Sequence, residues 1–175
     1  MDNESGASGP DVVAVLEEVR RWHPRPPAAG SSQEVEGLAR FQQFFQPLAP
    51  DRVEQLIERT YAPDVYFNDT LKAVRGRPAL RDYMVDSAQG AAECRVLFDE
   101  VTRTAVGEHH LRWRMMIRFK RFAGGRETWS IGMSHIRLDE HGLVVYHQDY
   151  WNAADGLFQH IPILGTAIRA IKKRL

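Results

Sequence analysis

Asp149 and His147 stand two residues apart in a run that alternates Leu143, Val145, His147, Asp149 and Trp151 against Val144, Tyr146, Gln148 and Tyr150. In a β-strand successive side chains point to opposite faces, so the first set shares one face and its His and Asp project about 7 Å apart at the backbone. If that face lines an interior, the carboxylate stands among Trp and Met side chains with little water. Its pKa then rises from about 4 toward the range a general base needs. Such a carboxylate beside an imidazole suits proton abstraction next to a carbonyl. The opposite parity, with Val144, Tyr146 and Tyr150 inward, leaves Asp149 an ion-paired structural residue.

Three further groups extend this constellation. Asp69 follows Val65 and Phe67 at even spacing, which places it on their face or, through its side chain, as the cap of a turn. His135 continues the spacing of Trp129, Ile131 and Met133; it can act as a proton shuttle or oxyanion donor, or be a core histidine satisfied by hydrogen bonds. Trp113, Met115, Trp129, Met133 and Trp151 supply the aromatic and thioether surface that a flat hydrophobic ligand prefers, although core packing uses the same residues.

Other chemistries find no support. His109-His110 and the remaining histidines lack zinc-site spacing, so no metal is expected. Gly124-Gly125 is not a phosphate loop, no cofactor motif occurs, and Cys94, the single cysteine, reads as a buried small hydrophobe.

The elements that must position these residues follow from periodicity. Residues 11–22 can form an amphipathic helix on Val12, Leu16 and Val19, but the Pro-rich stretch after His23 stops it; residues 1–32 are read as a mobile N-terminal arm and linker, and residues 33–175 as the domain. Val35, Leu38, Phe41, Phe44 and Leu48 recur at helical spacing, and Asp51 with Glu54 resembles a capping box opening a second helix on Val53, Leu56 and Ile57. Tyr61-Ala62-Pro63-Asp64 ends it, Val65 to Asp69 reads as a short strand, and Gly76-Arg77-Pro78 opens a helix carrying Leu80, Tyr83 and Met84.

From residue 93 the period becomes two. It is clearest in Leu111, Trp113, Met115, Ile117 and Phe119 against Arg112, Arg114, Met116, Arg118 and Lys120, a strand with one dry and one wet face. Turns at Ala123-Gly124-Gly125 and Glu140-His141-Gly142 separate further antiparallel strands. The predicted class is α+β.

Composition bounds the function. The 175 residues suit one domain, and 43% hydrophobic residues can bury a core. Lys plus Arg and Asp plus Glu both total 23, so no overall field attracts nucleic acid, and no nucleic-acid partner is expected. With one cysteine no internal disulfide can form, and the acidic polar start lacks signal-peptide character, so a soluble cytoplasmic protein is expected. At the C-terminus Ile161, Leu164, Ile168, Ile171 and Leu175 make an apolar stripe beside Arg169, Lys172, Lys173 and Arg174. This predicts a helix covering the sheet or an internal pocket, with membrane-surface contact as the secondary reading.

The order of helices, a short strand carrying Asp69, another helix and then a meander of long strands resembles the nuclear transport factor 2-like cone fold over about residues 35–160. The resemblance rests on Tyr61-Ala62-Pro63-Asp64-Val65-Tyr66-Phe67-Asn68-Asp69, Gly76-Arg77-Pro78-Ala79-Leu80 and His147-Gln148-Asp149-Tyr150-Trp151. Within that superfamily the chain is similar to SnoaL-like proteins, a group that includes polyketide cyclases beside steroid isomerases. The resemblance implies a curved sheet wrapped around helices, a conical pocket for a small hydrophobic molecule, polar groups projecting from the concave face, and a homodimer through the opposite face. It implies an isomerase, cyclase, dehydratase or hydrolase without cofactor, or else a non-catalytic binding or interaction module, since a fold does not select its chemistry.

Overall fold

The computed structural model describes residues 11–121 and 123–153; the predicted C-terminal helix lies outside them. Among the described residues four helices, α1 (Val12–Trp22), α2 (Ser32–Phe44), α3 (Pro50–Thr60) and α4 (Arg77–Gly90), accompany six strands. The strands are β1 (Tyr61–Asn68), β2 (Ala73–Arg75), β3 (Ala91–Arg103), β4 (His109–Phe119), β5 (Glu127–Leu138) and β6 (Val144–Trp151). They form one sheet in the order β2-β1-β6-β5-β4-β3, antiparallel except for the β1–β6 pair. Among the described residues no helix is long and apolar enough to cross a membrane.

The main core lies between α2, α3 and α4 and one face of this sheet, where Phe41, Phe44, Tyr61, Leu80, Leu111, Ile136 and Leu138 are buried. In α2 the buried stripe is Glu34, Gly37, Phe41 and Phe44; Val35, expected inside, is exposed, and Leu48 follows the helix end. The capping box expected at Asp51 is replaced by another start. Pro50 occupies the first turn and Ala49 is the cap residue, without a side-chain bond. Proline suits that place because its missing N–H has no helical partner there.

Residues 1–32, read as a mobile arm, contain a docked helix. Val15 and Val19 of α1 are buried with Ala62, Tyr66, Val145 and Tyr146 on the outer face of the sheet. Two carboxylates hold the segment. Glu108 accepts from Arg20 Nε at 2.7 Å and Nη2 at 2.8 Å, from His135 at 2.9 Å and from Arg137 at 3.3 Å, while Arg137 also reaches the His23 carbonyl at 2.8 Å. Glu34 takes Arg103 at 2.7 Å, His109 at 2.9 Å and the Gly30 N–H at 2.7 Å.

Strand parity corrects a second expectation. Leu138 pairs with Val144, but Arg137 pairs with Tyr146, so Val145 is an extra residue on β6, a bulge that sets two residues against one. Consequently Val144 joins the inner core while Val145 and Tyr146 both belong to the outer cluster. Beyond the bulge His147 and Asp149 resume the inner face, and Asp149 pairs with Ser134 rather than Met133. The inward set on β5 is therefore Ser130, Gly132, Ser134, Ile136 and Leu138. Trp129 and Ile131 are 50% and 68% exposed, and Met133 and His135 share their outer face.

Candidate active site

A cavity of about 230 Å³ opens between α4 and the inner face of β1, β3, β4, β5 and β6. Phe45, Phe67, Phe98, Trp113, Met115, Ile117 and Trp151 form its apolar wall, and Asp69, Tyr83, Ser134, His147 and Asp149 supply its polar groups. The structure thus brings together six of the nine residues singled out from the sequence: Asp149, His147, Asp69, Trp113, Met115 and Trp151. The remaining three, Trp129, Met133 and His135, lie on the far side of the sheet because of the Val145 bulge. His135 is instead a partner of Glu108.

β6 places His147 and Asp149 side by side, and a directed hydrogen-bond chain fixes both. His147 Nε2 is 2.8 Å from Asp149 Oδ1; a carboxylate oxygen can only accept, so Nε2 carries a hydrogen. His147 Nδ1 lies 3.0 Å from the Tyr61 hydroxyl. Tyr61 is fully buried, and this is the bond its hydroxyl makes, so the hydroxyl donates and Nδ1 accepts. Burial, and then the Asp149 charge, push the Tyr61 hydroxyl well above its ordinary pKa, which keeps its proton in place. Ser134 Oγ donates to Asp149 Oδ1 at 2.5 Å and itself accepts from Trp113 Nε1 at 2.9 Å. Phe41 and Phe67 pack edge-on against the imidazole, at 5.0 and 4.9 Å between centroids, and Tyr61 stacks on it.

Oδ1 of Asp149 therefore accepts two hydrogen bonds, whereas among the described residues nothing donates to Oδ2. Ser, His and Asp here are not a nucleophilic triad, because a triad histidine accepts from serine on one nitrogen and donates to aspartate with the other. In this protein Nε2 faces both partners, at 3.3 and 2.8 Å, and Tyr61 holds Nδ1.

Asp69 follows the last β1–β6 pair, Asn68 with Gln148, and so arrives beside Asp149. Both roles considered for it are realised. Its Oδ1 accepts from the Leu71 and Lys72 N–H groups at 3.0 and 2.9 Å, shaping the β1–β2 turn. Its Oδ2 accepts from the Tyr83 hydroxyl at 2.5 Å, and Trp151 Nε1 donates to its carbonyl at 2.6 Å. Burial, together with the Asp69 bond, raises the Tyr83 hydroxyl above its usual pKa. Cys94 lines the same cavity, with its thiol pushed up to about 12 by burial, so it stays protonated and is a poor nucleophile. Among the described residues no group of three or more His, Cys, Asp or Glu is placed to hold a metal ion.

Tyr61, Tyr83 and Ser134 escaped the sequence reading. Ser134 was recoverable only with the bulge, and Tyr61 lies 86 positions from its partner in a segment read as a helix breaker.

Comparison with known proteins places this geometry in context. No curated protein matches the chain. Among solved structures, an epoxide hydrolase from Mycobacterium tuberculosis described as LEH-like is 10% identical over 83% of this chain and 98% of its own, with a TM-score of 0.57. Rv0760c from the same organism, in complex with estradiol-17beta-hemisuccinate, is 16% identical over 71% and 98%, with a TM-score of 0.57. A protein with a ketosteroid isomerase-like fold from Catenulispora acidiphila, in complex with trimethylamine, is 13% identical over 70% and 89%, with a TM-score of 0.59. At such identities the likeness establishes the fold, the nuclear transport factor 2-like cone. The sequence profile of the SnoaL-like domain matches residues 41–147, more than half of the chain, and the protein belongs to that family.

Proposed function

We propose that this protein is a cofactor-independent acid–base enzyme for a small hydrophobic molecule, with Asp149 as the base. The observation that carries the reading is the division of labour on one carboxylate of the cavity wall: His147 and Ser134 hold Oδ1, and among the described residues no donor reaches Oδ2. A proton beside a carbonyl passes from carbon to Asp149 Oδ2, and the His147 Nε2–H and Ser134 O–H keep the carboxyl group in place before and after transfer. Return of that proton to another atom of the substrate completes an isomerisation or a ring closure. The solved relatives that hold a steroid ester and trimethylamine support a cavity used for small organic molecules.

The test is deuterium exchange at the α-carbon of a hydrophobic ketone such as 2-tetralone, followed by NMR in D₂O. General acid–base catalysis contributes typically ~10²–10⁴-fold, so Asp149→Asn is expected to lose that much of the exchange rate while ketone affinity changes far less. Equal exchange by the wild type and Asp149→Asn removes Asp149 from the mechanism. Binding of the ketone with no exchange above buffer favours a non-catalytic binding module.

For the quaternary state we infer a homodimer through the outer sheet face. The reading is supported by the exposed Trp129, Ile131 and Tyr150, which sit on adjacent β5 and β6. Tyr146, on the same face, is buried with Val15 and Val19 of α1.

A further inference from the structure

The charges lining the cavity are one-sided. Asp69 and Asp149 contribute to its wall, and no lysine or arginine among the described residues does. Elsewhere the fold treats its carboxylates differently: the buried Glu34 is paired with Arg103 and the buried Glu108 with Arg20 and Arg137. Among the described residues Asp69 and Asp149 are held by hydroxyls, backbone N–H groups and the His147 N–H, with no guanidinium or ammonium. The exposed Lys72 lies over the Tyr83 ring, 5.1 Å from its centroid, and makes no ion pair with Asp69. The acceptor capacity left over is on Asp149 Oδ2 and, beside the Tyr83 bond, on Asp69 Oδ2.

We propose that the ligand brings the missing cation, and that the cavity takes a lipophilic amine whose protonated nitrogen pairs with Asp69. The rings lie against Trp113, Phe98 and Met115, and Asp149 Oδ2 remains available to the carbon chemistry. This rests on the acid–base reading of the same cavity and adds the ligand's charge to it. Three physical arguments converge. An anion placed here meets two carboxylates in a low-dielectric site with no compensating charge, which is strongly unfavourable. An ammonium gains both the carboxylate and the faces of the surrounding aromatic rings. At about 230 Å³ the space falls below the roughly 300–1,000 Å³ of drug-sized pockets, which suits a one- or two-ring amine.

The experiment compares three probes with the same rings, 2-(aminomethyl)naphthalene, 2-(hydroxymethyl)naphthalene and 2-naphthoate, by calorimetry on the full chain at neutral pH. The amine is expected to bind on the order of tenfold more tightly than the alcohol, and the acid more weakly than both. Asp69→Asn should erase the preference for amine over alcohol, because it removes the charge while an asparagine oxygen still accepts the Leu71 and Lys72 N–H groups and keeps the turn. Alcohol binding as tight as amine binding, acid binding as tight as either, or binding of none of the three overturns the assignment. An amine preference that survives alongside exchange unaffected by Asp149→Asn upholds the charge assignment and refutes the acid–base reading, so the two failures are separable.

Discussion

Tyr61→Phe removes one buried oxygen and tests the hydrogen-bond chain at its far end. The phenyl ring keeps its stacking on His147 and its edge contacts with Phe41 and Phe44, so the packing change is small. What changes is that His147 Nδ1, buried and paired at 3.0 Å, loses its donor. Leaving such a group unsatisfied costs about 1–3 kcal/mol. For a chain of this size that is about 2–12 °C in melting temperature, at about 2–4 °C per kcal/mol. The second readout is the tautomer. In the wild type ¹⁵N-labelled histidine should show His147 protonated at Nε2 and bare at Nδ1, as the Asp149 and Tyr61 contacts require. A variant as stable as the wild type within ~0.5 kcal/mol, or a wild-type His147 carrying its proton on Nδ1 alone, refutes the directed chain.

Three other outcomes follow from the same structure. Burial alone would raise the Glu108 carboxyl, but the hydrogen bonds and charges of His135 and Arg20 hold it down at about 2, against an ordinary 4.5. A folded pKa below the unfolded one gives stability that is complete above about pH 5 and is lost as pH falls from 4.5 through 2, so Glu108→Gln should lower stability at neutral pH and flatten its fall between pH 5 and 2 in chemical denaturation. A Cβ at Gly132 would stand against the Trp113 indole and 2.7 Å from Trp151 Cβ. Gly132→Ala should therefore cost about 1–3 kcal/mol by overpacking and weaken ligand binding through displaced Trp113, both readable in a thermal shift with and without ligand. Ile131→Lys should shift sedimentation from dimer to monomer with unchanged far-UV circular dichroism, and a wild type that sediments as a monomer at all concentrations rejects the outer-face interface.

How much of this was legible in the sequence turned on single residues. The alternation of β4 was unambiguous because its two faces differ in charge, and it placed Trp113 and Met115 on the inner face. The β5 strand misled because both its faces carry apolar residues. Counting back from the Glu140–Gly142 turn without a bulge pairs Asp149 with Met133 and puts Trp129 and His135 inside. One extra residue at Val145, in the uninformative run Leu143-Val144-Val145, reverses that parity. The signal that competed with it was steric: Gly132 fits beneath Trp113, where a larger residue would not. The docking of α1 was illegible for another reason. Arg20 finds Glu108 88 positions away and Arg103 finds Glu34 69 positions away, distances at which no local pattern operates. Asp69 was legible because it follows the inward-facing Val65 and Phe67 at even spacing, a local property. Asp149 was reached through the even spacing of Leu143 and Val145, which the bulge leaves on the outer face, so that only His147, Asp149 and Trp151 keep the inward parity.

The two faces of the sheet handle their acids by opposite rules, and that contrast bears on what the cavity can do. On the outer face Glu108 is surrounded by Arg20, Arg137 and His135, and its lone pairs are spent on holding α1. A carboxylate so compensated is a fastener, since its low pKa leaves it no tendency to accept a proton at neutral pH. On the inner face the donors to Asp149 come from Ser134 and His147 and converge on one oxygen. Orientation is then achieved without neutralising the group, and the second oxygen keeps its capacity to accept. Replacing Ser134 or His147 by an arginine would satisfy the carboxylate more completely and would convert the site into another fastener. The small inward residues of β5 bring neutral neighbours rather than a counter-charge: Gly132 lies beneath the Trp113 indole, and Ser134 links that indole to Asp149. What distinguishes a site from a strut in this chain is therefore the polarity of the partners given to each acid, and the Val145 bulge brings the small, neutral partner opposite Asp149.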